Sequence, residues 1–298
     1  MSSRSIVGFD GTEPSRAAVA WAVGHGGPVV IAHVADADAG LMGPDYELEV
    51  RRRAADLLER ALAETAERHP GAEVGGVLLD GPVAWALTQF AEPDDTLVIG
   101  THKTGFLHGR VLGSRSVEVA FLATCEVTVV PSIDLRFRAG VVAGIADDGS
   151  LRDVAETAAR VAGQRGEELL LLHGAEHRSR ADERSLVTDA VSAARSIAPG
   201  IVIRTRVSNR PAAELLLDAS RDRSLLVLGS GSADRTRSPI GSVVHDVLLN
   251  LTAPVLVVRP PDGSSGDDDR PDGGTGRHGT QACDAVPRDP GIPRDLRP

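Results

Sequence analysis

Thr96-Leu97-Val98-Ile99-Gly100 is an apolar run that ends on glycine, and a glycine-containing loop carries it to Gly113-Ser114. A short aliphatic run without charge is what a parallel strand buried on both faces requires. Gly113-Ser114 then opens a helix that reaches about Ala123, and Val127 to Val130 forms a further strand stopped by Pro131. Strand, loop, helix and strand in this rhythm predict a parallel sheet with helices on both faces.

The alternation extends upstream. Ser5-Ile6-Val7-Gly8-Phe9 reads as a strand broken by Asp10-Gly11-Thr12, and helical spacing follows from Pro14 to about Val23. Val29 to Val34 is an unbroken buried run. A long helix is predicted from Pro44 to His69, with Leu48, Leu58, Ala61, Leu62 and Thr65 toward one face. Val74 to Leu79 alternates as a strand does. Gly81-Pro82 starts another helix to about Ala91, with proline where a missing N–H does no harm.

Downstream the same order returns. Val141 to Ile145 mirrors the first strand, Leu169 to His173 the second, Leu225 to Gly229 the fourth and Val255 to Val258 the fifth. Helices are predicted near 182–198, from Pro211 and from Gly241-Ser242, a strand near 201–207, and a capping box at Ser150 with Asp153. Gly8 to Gly144 is 136 residues, His33 to His173 is 140, Gly100 to Gly229 is 129 and Gly113 to Gly241 is 128. Landmarks that keep their order while the offset drifts through small loop insertions mark a duplication. The predicted fold is α/β: two tandem five-stranded parallel-sheet, Rossmann-like domains at residues 1–133 and 139–260. Residues 261–298, rich in Gly, Pro, Asp and Arg, read as a disordered tail.

Composition narrows the function classes. Apolar residues make up 42% and aromatics only 3%, so aliphatic side chains must fill the cores. The net charge of −10 argues against nucleic acid or an anionic membrane as partner. With two cysteines, Cys125 and Cys283, there is neither a disulfide framework nor a metal-ligand spacing. The opening residues move straight into a strand, and no apolar run approaches a membrane span, so a cytoplasmic location is expected.

A strand ending in glycine, a glycine-containing loop and Gly-Ser at a helix start can hold phosphate on backbone N–H groups and a helix dipole. Gly113 allows close backbone approach, and Ser114 and Ser116 offer hydroxyls. Asp10, at the carboxyl end of the first strand, stands beside the same crevice, where it can accept hydrogen bonds from a ribose or an adenine amino group. His33 and His173 read as hydrogen-bonded strand-end residues, and His102, His108 and Arg110 as solvated loop residues. The sequence contains no Gly-x-Ser-x-Gly elbow, no His-Glu-x-x-His and no P-loop lysine motif. Gly8-Phe9-Asp10-Gly11 does not supply the dinucleotide fingerprint of a dehydrogenase.

Over roughly residues 4 to 260 the chain resembles the universal stress protein family in its tandem form. The resemblance rests on Ile6 to Thr12, Ala32-His33-Val34, Leu97 to Gly100, Gly113-Ser114 and the closing valine-rich strand. It implies an adenine-nucleotide α-hydrolase-like fold, ATP or a related nucleotide between loop and first strand, Mg as a candidate companion, and pairing through the last strands. ATP-binding members carry Gly-x2-Gly-x9-Gly-Ser/Thr. Carried over, the motif keeps Gly100, Gly113 and Ser114 but meets Lys103 at its second glycine, with Gly105 still loosening the loop. Lys103 either blocks the backbone or pairs with phosphate. Gly8, Asp10, Val34, Arg115 and Ser116 complete the first candidate site. The second comprises Gly144, Gly174 in place of Val34, Gly229, Gly241, Ser242 and Val243; Ser232 takes the second glycine's place and Ala146 that of Asp10, although Asp147 and Asp148 follow at once in a longer turn.

Three function classes follow. The leading one is a stress-responsive regulator that binds nucleotide, chiefly in the first domain, acts on an unknown protein partner and lacks efficient catalysis. The second is a docking module with degenerate sites, a pseudo-dimer within the chain that can pair further as a homodimer. The third, an enzyme, lacks a visible nucleophile and base.

Overall fold

The computed structural model describes residues 4–35, 44–102, 114–174, 180–231 and 239–259. The apolar runs become strands and the amphipathic segments become helices, in strict alternation. The first half holds β1 (Ser5–Gly8), α1 (Glu13–His25), β2 (Val29–Ala35), α2 (Pro44–Arg68), β3 (Val74–Asp80), α3 (Val83–Phe90), β4 (Thr96–Thr101), α4 (Ser114–Leu122) and β5 (Glu126–Pro131). The second holds β6 (Val141–Gly144), α5 (Leu151–Arg165), β7 (Leu169–Gly174), α6 (Arg180–Ile197), β8 (Ile203–Ser208), α7 (Ala212–Ser220), β9 (Leu225–Gly229), α8 (Ser242–Asn250) and β10 (Val255–Val258). The chain is mixed α/β, and its element order repeats.

The strands form one ten-stranded sheet in the order β3-β2-β1-β4-β5-β10-β9-β6-β7-β8. Among the described residues, pairing is parallel within each half and antiparallel only at the seam, where Val127, Thr128 and Val129 of β5 face Val257, Leu256 and Val255 of β10. Central strands are almost wholly buried, while β3 and β8 at the edges carry exposed side chains. That is why the edge strands alternate and the central ones read as continuous apolar runs.

The two faces of the sheet are filled differently. On one, α3, α4, α7 and α8 cover a core that runs across the seam, with Leu97, Val127 and Val129 packed in the same cluster as Leu226, Val255 and Val257. On the other, α1 and α2 cover one cluster, α5 and α6 a second, and Trp21 touches both. The helices depart from expectation in two places. Leu48 of α2 is 74% exposed, because the first turns of this helix reach past the core that buries Leu58, Ala61 and Thr65. Ser150 does cap α5, yet it makes no capping bond and no box with Asp153; its hydroxyl donates to Asp148 instead. No helix among the described residues is long and apolar enough to cross a membrane.

Candidate functional site

Parallel strands end together, so the loops after β1, β2 and β4 meet at one edge of the sheet, the usual place for a ligand crevice. A cleft of about 260 Å³ lies there. Gly8 ends β1 and Asp10 follows it, His33 and Val34 lie near the end of β2, Gly100 near the end of β4, and Arg115 comes from the first turn of α4. Val83 and Leu87 of α3 and Val119 of α4 make its floor apolar. The structure thus brings Gly8, Asp10, Val34, Gly100 and Arg115 together. Ser116 is buried, and the cleft wall along this helix belongs to Arg115 and Val119. Lys103, Gly105 and Gly113 lie outside the described residues, as do His108 and Arg110, and the Ser114 side chain is not described.

Two glycines shape this cleft by what they lack. A Cβ on Gly8 would come within 2.8 Å of Ile99 Cδ1 and 3.1 Å of Leu87, which form the floor. One on Gly100 would press into the Pro14 carbonyl and stand 2.7 Å from the Ser15 nitrogen. Bare backbone at Gly100 therefore lets the first turn of α1 lie directly on the end of β4.

Asp10 holds the turn between β1 and α1. Its carboxylate accepts from the Thr12 N–H at 3.0 Å and from the Thr12 hydroxyl at 2.6 Å. Burial opposes its ionisation, but these bonds outweigh burial and hold the carboxyl below the usual carboxylate range. His33 donates from Nδ1 to the Phe9 carbonyl at 2.7 Å, and His173 does the same to Ile145 at 2.9 Å, so both are strand-end residues as expected.

The second half builds a matching cleft of about 230 Å³, lined by Gly144, Gly174, Gly229, Gly241, Ser242 and Val243 among others. Ala146 lines it too, but Ala146 is not the counterpart of Asp10. Asp148 is: it accepts from the Ser150 N–H at 3.0 Å and from the Ser150 hydroxyl at 2.6 Å. Thr12 and Ser150 are the N-caps of α1 and α5. Gly11 and Gly149 sit between each pair at φ of 80° and 82°, a region glycine enters without strain. The turn in the second half is longer, so position counting lands on Ala146. The signal that finds the acid is the motif itself, Asp10-Gly11-Thr12 against Asp148-Gly149-Ser150. Asp148→Ala strips the turn of both bonds and is expected to cost about 1 kcal/mol. Urea denaturation reads this as a lower midpoint at unchanged slope, and no shift would show that Asp148 does not hold the turn.

The described ends of the second loop approach closely. Gly241 donates its N–H to the Ser230 carbonyl at 2.7 Å, and a Cβ on Gly241 would stand 2.9 Å from the Gly231 carbonyl carbon. Ser232 lies outside the described residues. Sequence reasoning missed the apolar floors, Val83, Leu87 and Val119 in one half and Leu216 and Val244 in the other. Val83 and Leu87 stand four residues apart on α3, a spacing that marks one helical face but not what the face meets.

Comparison with known proteins agrees with this architecture. Residues 1–131 match the model of the universal stress protein family. A universal stress protein of Mycolicibacterium smegmatis is 27% identical over 284 residues, covering 86% of this chain and 96% of the relative. One of Mycobacterium tuberculosis is 27% identical over 292 residues, covering 85% of this chain and 96% of its own length. The crystal structure of a universal stress protein from Archaeoglobus fulgidus superposes with a TM-score of 0.67 at 15% identity, over 88% of this chain and 98% of that one, which is a likeness of fold. The model of the universal stress protein family thus matches the first half of the chain, and universal stress proteins align across both halves.

Proposed function

We propose that the protein is a stress-responsive regulator that binds ATP or a related adenine nucleotide in the cleft of its first half, without efficient turnover. The observation that carries this reading is the convergence of Asp10, Val34, Gly100 and Arg115 on one apolar-floored cleft at the carboxyl edge of the sheet. The floor of Val83, Leu87 and Val119 suits a base, Asp10 a ribose or an amino group, and Arg115 at the start of α4 a phosphate. The cleft is at the small end for a ligand site, so in this reading the phosphates sit at its mouth beside Arg115.

Binding without efficient turnover fits the way the polar groups are engaged. Asp10 is tied to Thr12 and His33 to the Phe9 carbonyl, so carboxylate and imidazole hold backbone. Among the described residues no group of three or more His, Cys, Asp or Glu is placed to hold a metal. In this reading Mg arrives on the phosphates, as it commonly does. A cytoplasmic site of action and a protein partner that senses the loaded state belong to the same proposal.

Calorimetric titration with ATP tests it, using Arg115→Glu and Ser242→Glu, both at exposed positions in the first turns of α4 and α8. Binding to the parent chain that falls at least about tenfold with Arg115→Glu and is unchanged by Ser242→Glu is the expected result. Loss with Ser242→Glu alone would move the site to the second half, where Asp148 keeps the acid in place. No binding at millimolar ATP would overturn the nucleotide reading and leave a docking module built on the β5–β10 seam.

A further inference from the structure

Where the core of α3, α4, α7 and α8 seals one face of the seam, the opposite face leaves a gap. Between α1 and α5, above β5 and β10, lies a cavity of about 650 Å³ that shares no described lining residue with either cleft. Its base is Thr128 and Leu256, which face each other across the seam. One copy thus puts leucine and the other threonine at the same level of the sheet. Burying a threonine here is unfavourable unless its hydroxyl is satisfied. Thr128 is 0% exposed and Oγ1 has no hydrogen-bond partner among the described residues.

Two further groups point to the same kind of visitor. His25, at the end of α1, lines the cavity with its ring stacked on Trp21 at 3.4 Å between centroids. Its Nδ1 lies 2.6 Å from the Trp21 carbonyl and donates there, so Nε2 is an acceptor; it is buried and has no partner among the described residues. Glu126, at the start of β5, lines the cavity half-buried and makes no hydrogen bond or ion pair with any described residue. Arg160 of α5 acts on it only at longer range. The unsatisfied atoms are therefore a carboxylate, an imidazole nitrogen in its acceptor tautomer and a hydroxyl that can accept. Such a set calls for N–H donors bearing positive charge.

We propose that this seam cavity binds a small organic cation, its guanidinium or ammonium head paired with Glu126 and donating to Thr128 and His25 Nε2. The Trp21 ring, stacked on His25, lines the same wall. Arg160, exposed at the rim, favours a ligand whose other end is neutral or anionic over a compact dication. The site is independent of nucleotide binding, and its failure would leave that reading intact.

The test is calorimetric titration of the full chain with L-arginine and with L-citrulline, which replaces the guanidinium by a neutral ureido group of the same shape. Arginine is expected to bind at least about tenfold more tightly than citrulline, the difference made by one charge-assisted pair. Glu126→Gln should abolish that preference, and Thr128→Val should weaken arginine about threefold to tenfold. Both variants are close to isosteric, and their denaturation midpoints show whether the fold is kept. Equal affinity for the two probes, a preference that survives Glu126→Gln in folded protein, or no arginine binding at millimolar concentration would each overturn the proposal. Unchanged ATP titration in Glu126→Gln separates this cavity from the cleft.

Discussion

Gly100→Ala is expected to destabilise the protein by about 3 kcal/mol or more, the upper range for forcing one methyl group into a packed site. The methyl would meet backbone, not a side chain able to turn away. Its nearest neighbours are the Pro14 carbonyl and the Ser15 nitrogen, and both belong to the first turn of α1. To make room, α1 must lift off the end of β4, and Val19 and Ala22 of that helix lie in the buried core with Val7 and Val98. The cost is therefore spread through the packing of the first half. Gly24 supplies the contrast within the same helix. It is exposed, has nothing within 4 Å of a would-be Cβ, and lies just before the end of α1. Gly24→Ala should stabilise by about 0.5–1 kcal/mol through helix propensity and the entropy of the unfolded chain. Urea denaturation of the two variants reads opposite shifts in midpoint. If Gly100→Ala left the midpoint near that of the parent, α1 would not rest on β4 as the structure has it.

The contrast also shows which parts of this molecule a sequence can disclose. The strands were legible because a strand buried on both faces leaves no room for polar alternation, so Val29 to Val34, Leu97 to Ile99 and Leu225 to Leu228 announce themselves. Their glycine endings were legible for the same reason, since Gly100 and Gly229 mark where helix backbone or Ser150 comes too close for a side chain. Helix faces were less so. Periodicity put Leu48 with Leu58, but a periodic stripe runs on past the end of the core it serves, and Leu48 is solvent-exposed. Asp148 shows another limit. A longer turn shifts the count, and only the local chemistry of an Asp-Gly-hydroxyl turn restores the correspondence with Asp10. The seam cavity was not legible at all. It depends on the register that sets Thr128 opposite Leu256, a pairing between residues 128 positions apart that no local pattern encodes.

Stability should fall as the pH is lowered from about 6.5 to 4, and His25 should account for up to about 3 kcal/mol of the loss. Burial is the main cause of its weak basicity. The nearby positive charge of Arg165 adds to it, the hydrogen bond to the Trp21 carbonyl opposes it, and the imidazole is driven down to about 4 from an ordinary value of 6.5. The sign follows from where protons bind. Between those two values the unfolded chain takes up a proton that the folded chain refuses, so acid favours unfolding. Above the ordinary value both states are neutral and the full stability is present; below about 4 both are charged and the penalty is complete. Glu126 works in the reverse sense, since burial raises its pKa and its protonation in acid relieves a cost of the folded state. A comparison of variants isolates His25 from this background. Urea denaturation of the parent and of His25→Gln, at pH 7 and pH 4.5, should show the parent losing more stability between the two conditions, by about 2 kcal/mol. Equal losses would mean that the ring protonates freely in the folded state. In that case Nε2 would be protonated below about pH 6.5, and arginine binding at the acid end of this range would rest on Glu126 and Thr128 alone.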